Sequence, residues 1–165
     1  MLASIEFWLS LIIVILIILL ALGSYFDLYN EIIEIRIGGL TFHHWFTIGG
    51  TLFIAIFTPI YYFAKRRYLN IYKTIVSTHV FGNMIAIALI SIHFAHQMGR
   101  PAQFYPDLAT GIILYPTVIF LFITGFTMRF KLIKDWKYTG FLHKSLTVTF
   151  YLAIVVHILH GFRII

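Results

Sequence analysis

The chain has 165 residues, of which 61% are hydrophobic and only 11% charged. An ordinary soluble domain carries about 25% charged residues, so a soluble enzyme, a disordered tail and a secreted disulfide module are excluded. With no cysteine there is no disulfide, zinc-thiolate site or cysteine-held iron–sulfur cluster. The excess of twelve Lys and Arg over six Asp and Glu, in so apolar a chain, points to membrane-flanking loops and not to nucleic acid.

A spanning helix needs about 20 apolar residues, and five stretches qualify, predicting an all-α membrane protein with five transmembrane helices. The first covers about 7–23. Its Ala21-Leu22-Gly23 resembles a signal-cleavage site, but residues 1–6 hold no Lys or Arg, so it is expected to be a retained anchor. A second helix is expected at about 41–64, and three more make a bundle over about 71–165, with runs near 71–97, 108–130 and 141–165. Pro59 and Pro116 fall inside spans, where neighbouring helices can satisfy the freed backbone. The connection from Asp27 to Thr41 is the only sizeable loop, and its residues 32–39 alternate like a short strand entering a turn. No region is left for a soluble domain, so any flavin, nicotinamide or large-substrate site is expected on another polypeptide.

Nine of the twelve basic residues, Lys65, Arg66, Arg67, Lys73, Arg129, Lys131, Lys134, Lys137 and Lys144, fall on one side of a five-span arrangement. The other side receives Arg36, Arg100 and Arg163 together with Asp27, Glu31, Glu34 and Asp107. The positive-inside rule then sets the N-terminus inside and the C-terminus outside a cell membrane.

The third span contains His79, His93 and His96, and the fifth contains His143, His157 and His160. Both read H-x13-H-x2-H, and an arginine follows each, Arg100 and Arg163. Fourteen residues make about 3.9 helical turns, so the first two histidines of each set share a face to within about 40° and lie about 21 Å apart along the axis. The third is rotated by about 100° from the first. Spans three and five run in the same direction. His79 is therefore level with His143 near the cytoplasmic side, and His93 is level with His157 near the outer side. Facing histidines at two depths form two axial-ligand pairs, and imidazole is a haem ligand.

Paired histidines at this spacing on two co-directional helices resemble the transmembrane di-haem b-type cytochromes. These include the cytochrome b core of quinol-oxidising complexes, the b-type anchors of hydrogenases and formate dehydrogenases, and the ferric-reductase and NADPH-oxidase membrane domain. The resemblance covers about residues 71–165. It implies two haems b, the inner one ligated by His79 and His143 and the outer one by His93 and His157. It also implies electron transfer across the membrane between a quinol or redox-partner subunit and an acceptor, with the chain acting as a non-catalytic subunit of a larger complex in a prokaryotic plasma membrane. Flavin domains and quinone-site motifs of those families are missing. Gly82 and Ala86 lie on the ligand face of the third span, where such cytochromes leave clearance for porphyrin, whereas the fifth has Leu146 and Phe150.

Around these ligands, His96 and His160 read as propionate hydrogen-bonders or as interfacial residues. Arg100 and Arg163 either pair with propionates or snorkel to lipid headgroups. Asn83, one turn after His79, contacts either the inner haem or another helix. His43 and His44 read as an interfacial pair, with a quinol or metal site as the other use. The competing function is a metal-binding membrane protein, a transporter or copper-enzyme subunit, using the outer imidazoles. Against it, no carboxylate lies within any span.

Overall fold

A computed structural model describes residues 5–103 and 109–161 of the chain. Among these residues there are six α-helices: α1 Ile5–Tyr25, α2 Asn30–Ile33, α3 Phe42–Arg67, α4 Tyr72–Gly99, α5 Ala109–Arg129 and α6 Trp136–Gly161. All but the single turn α2 are long and apolar enough to cross a membrane. The protein is thus a multi-pass helical membrane protein. Each helix extends close to its hydropathy run. The largest shift is α6, which begins five residues before the expected 141 and takes in Trp136–Gly140. Pro59 and Pro116 are contained within α3 and α5 without ending them.

The chain divides into two units, residues 1–99 and 100–165. In the first, α4 packs against both α1 and α3. Of the four residues that α1 buries, Ser10, Ile17, Gly23 and Ser24, three recur every seven positions, the spacing of a helix seam. The rest of α1 exposes Trp8, Leu9, Ile12, Leu16 and Leu19, as a lipid-facing helix does. Ser24 Oγ donates to the Ile92 carbonyl of α4 at 2.8 Å. Against α3 the backbones approach closely: a Cβ on Gly50 would fall 2.7 Å from the Ala86 carbonyl oxygen. The Phe53 ring covers Gly82 directly. The small face of α4 at Gly82 and Ala86, expected to clear space for porphyrin, is therefore used here for packing against α3.

The 27–41 connection holds the expected strand entering a turn only over 36–39, and residues 30–33 are helical instead. Helix α1 ends in a left-handed Asp27 (φ 57°), with Leu28 N donating to Gly23 O and Asp27 N to Ser24 O, the double bond of a Schellman cap. One turn of α2 follows, which buries Ile33. A two-residue hairpin then pairs β1 (Arg36–Ile37) with β2 (Leu40–Thr41). Its turn is Gly38-Gly39, both at positive φ, the backbone that a tight hairpin demands and glycine supplies. Trp45 Nε1 donates to the Ile37 carbonyl at 3.0 Å and ties this hairpin to α3.

In the second unit α5 packs against α6. Helix α5 closes with Lys131 at φ 52° and Leu132 N donating to Thr127 O, a second cap of the same kind.

Candidate functional site

On α6, His143 and His157 are each held by a threonine of α5. Thr124 Oγ1 lies 2.9 Å from His143 Nδ1, and Thr110 Oγ1 lies 2.9 Å from His157 Nδ1. Each threonine is followed by a glycine beside the same ring. A Cβ on Gly125 would be 3.2 Å from His143 Cε1, and one on Gly111 would be 3.6 Å from His157 Cε1. The Thr-Gly pair thus repeats after fourteen residues on α5, and its histidine partner repeats after fourteen on α6 in the opposite sense. Fourteen is two heptads, the repeat at which packed helices keep presenting one seam to each other. Midway between these contacts, Thr117 and Phe150 are both buried. A search for histidines alone does not reveal this pattern, although the repeated Thr-Gly dipeptide was readable.

Thr124 Oγ1 lies within hydrogen-bond reach of the Phe120 and Leu121 carbonyls, at 2.8 and 3.0 Å, as well as of His143 Nδ1. When its one proton goes to a carbonyl, the hydroxyl oxygen accepts from His143 Nδ1–H and Nε2 keeps a lone pair. A protonated, anchored Nδ1 with an unprotonated Nε2 is the arrangement of a metal-ligating imidazole.

In the first unit His79 is stacked on the Tyr61 ring, with centroids 4.0 Å apart and planes 10° from parallel. The Asn83 side-chain amide nitrogen lies 3.2 Å from His79 Nδ1, so the residue one turn away braces this ring. All four expected ligands, His79, His93, His143 and His157, are half-buried.

At the other end of α4 the structure gathers residues that the sequence leaves apart. The His43 ring lies 4.2 Å from His44, 5.2 Å from His93 and 4.6 Å from His96, and the His44 ring is 5.4 Å from His93. His43 and His96 are buried, at 3% and 5% exposure, which differs from the interfacial pair expected of His43 and His44. Residues of the connection before the hairpin meet them: the Ile33 carbonyl lies 3.4 Å from His43 Nδ1. His96 Nε2 meets Glu34 Oε1 at 2.8 Å, and Asp27 Oδ1 lies 3.8 Å from His96 Nδ1. Thr41, at the α3 N-cap, places its hydroxyl 3.0 Å from His43 Nδ1 and 2.5 Å from His44 Nδ1. Glu34 belongs to the connection and not to a span, which is why counting carboxylates within spans overlooked it.

His160 is half-buried in the last turn of α6. Arg100 follows the α4 C-terminus and opens the second unit. Arg163 lies outside the described residues.

Fold and histidines together define a multi-pass membrane protein with imidazoles held at two depths of its helices. Compared with protein-family models, with curated proteins and with solved structures, the chain matches none of them.

Proposed function

We propose that the protein is a membrane di-haem b electron carrier, with His79 and His143 as the ligands of one haem and His93 and His157 as those of the other. The observation that carries this reading is the doubled Thr-Gly support of His143 and His157. The same device, built twice at the interval of the histidines, prepares two equivalent ligands. Helix packing sets the fourteen-residue register, and the Nδ1 contact it creates at both positions is the one that orients a ligating imidazole. The donor set also suits the cofactor, because neutral imidazole nitrogen is an axial ligand of haem iron. Haem held between two imidazoles supplies one-electron transfer and leaves no coordination position open to oxygen.

The chain's own residues do the rest. Thr124 and Thr110 hold each ring by Nδ1, and Nε2 would be the ligating nitrogen of each. Hydrogen bonding at Nδ1 makes a ligating imidazole more basic and fixes its plane. Gly125 and Gly111 let the rings rest against the α5 backbone. Tyr61 and Asn83 hold His79 from its face and its edge. The apolar helices exclude water and keep the surrounding dielectric low, one of the levers that set a haem potential.

By the positive-inside rule, the Lys65–Arg67 end of α3 faces the cytoplasm of a prokaryotic cell and the 27–41 connection faces outward. The proposed partners are bilayer lipid and the redox subunits of an oxidoreductase complex, with quinol as one electron donor. Visible spectra of the purified protein before and after dithionite test the reading. Reduction should produce sharp b-type α and Soret bands; a colourless protein from haem-replete cells would refute it.

A further inference from the structure

From the first unit alone, and independently of haem, we infer that Glu34, His43 and His96 form a binding site for a divalent transition-metal ion of the zinc class. One ligand atom from each residue lies within 4.8 Å of the other two. These three come from separate elements, the end of α2, the start of α3 and the end of α4, and the 27–41 connection brings them together.

The protonation pattern suits an ion. His43 Nδ1 faces the Ile33 carbonyl at 3.4 Å and the Thr41 hydroxyl at 3.0 Å, while the Gln97 amide nitrogen donates to His43 Nε2 at 3.2 Å, with the Thr41 hydroxyl 3.3 Å from the same nitrogen. That leaves the lone pair of Nε2 available once Gln97 moves aside. His96 Nε2 and Glu34 Oε1, 2.8 Å apart, share a proton that an ion would replace. Zinc binds nitrogen and carboxylate oxygen at about 2.0–2.2 Å, so tetrahedral neighbours sit about 3.4 Å apart. The 2.8 Å pair must open by about 0.6 Å and the wider ones, all within 4.8 Å, close by at most about 1.4 Å, a range that side-chain rotations cover.

The surroundings favour the same ion. Two buried imidazoles form the floor, while the Glu34 and Asp27 side chains, 51% and 52% exposed, give it an acidic mouth. Imidazole selects transition metals, whereas calcium and magnesium take oxygen ligands. Two histidines and one carboxylate are three protein ligands, the set with which zinc keeps one position for water or a substrate.

The test is calorimetric titration of Zn²⁺ into full-length protein, purified in detergent with a histidine-free tag and stripped with chelator. One ion per chain should bind, with no displacement by excess Mg²⁺ or Ca²⁺. Loss of a group that only orients a ligand already lowers metal affinity by about 10–100-fold, so Glu34→Gln and His96→Gln should each lower it by about 100-fold or more. Glu31→Gln, an exposed acid in the same connection, should leave it unchanged. Glu34→Gln retains a side chain able to hydrogen-bond His96, and circular dichroism should show it folded. Absence of saturable Zn²⁺ binding in the wild type would overturn the assignment. Wild-type affinity in a folded Glu34→Gln variant would also overturn it. Neither result bears on haem, which is read separately from its visible bands.

Discussion

Replacing Thr124 by valine keeps the volume and the β-branch but removes the oxygen hydrogen-bonded to His143 Nδ1 at 2.9 Å. The half-buried imidazole nitrogen loses this hydrogen bond, which costs about 1–3 kcal/mol. A free-energy difference of that size is about 5–150-fold in an equilibrium constant, and loss of an orienting hydrogen bond behind a metal ligand costs about 10–100-fold. The two estimates overlap, so haem affinity at the His143 site should fall by about 10–100-fold while the other site is untouched. Thr117→Val is the matched control. Its hydroxyl bonds the Ile113 carbonyl at 3.0 Å, as that of Thr124 bonds Phe120, so the control subtracts the intrahelical contribution. The assay is haem transfer to excess apomyoglobin, followed in the visible spectrum: half the haem should leave faster in Thr124→Val and none in Thr117→Val. Thr110→Val should reproduce the effect for the other half. Identical transfer from Thr124→Val and Thr117→Val would refute the claim that Thr124 prepares a ligand.

His93→Ala should lose about half the haem by pyridine haemochrome, because the two sites share no ligand, whereas His96→Ala should keep all of it and lose Zn²⁺ binding; the reverse pattern would show the ligand faces exchanged. Gly50→Val would push side-chain carbon into the Ala86 carbonyl and Ile90, and such overpacking costs about 1–3 kcal/mol, read as a lower midpoint in detergent unfolding followed by circular dichroism. Because the chain has no cysteine, single-cysteine labelling reports sidedness directly: Glu31→Cys should react with an impermeant maleimide in intact cells and Arg67→Cys only after permeabilisation, and labelling in the opposite order would invert the orientation.

The five long helices were legible because hydropathy over about 20 residues is a local property. Their ends were not, since Trp136–Gly140 and Lys65–Arg67 are polar enough to resemble loop yet continue the helical hydrogen bonding. The 27–41 connection misled for another reason. Alternation at residues 32–39 is compatible with a strand, but burial of Ile33 favours a helical turn first, and only the Gly38-Gly39 corner and its short hairpin remain extended. The spacing of His79, His93, His143 and His157 was readable, whereas what holds them was not. Tyr61 reaches His79 from another helix, and Thr110 and Thr124 reach the α6 histidines across a helix pair whose register depends on packing. The Glu34–His43–His96 cluster was the least legible, because it forms only when the 27–41 connection meets the start of α3.

The most direct test of the central claim is the number of haems per chain, measured by pyridine haemochrome against protein quantified by amino-acid analysis. Protein purified from haem-replete cells should contain two haems b per chain, one for each repeat of the threonine-supported histidine. A value of one would contradict the paired assignment, and a value of zero would remove haem from the function altogether.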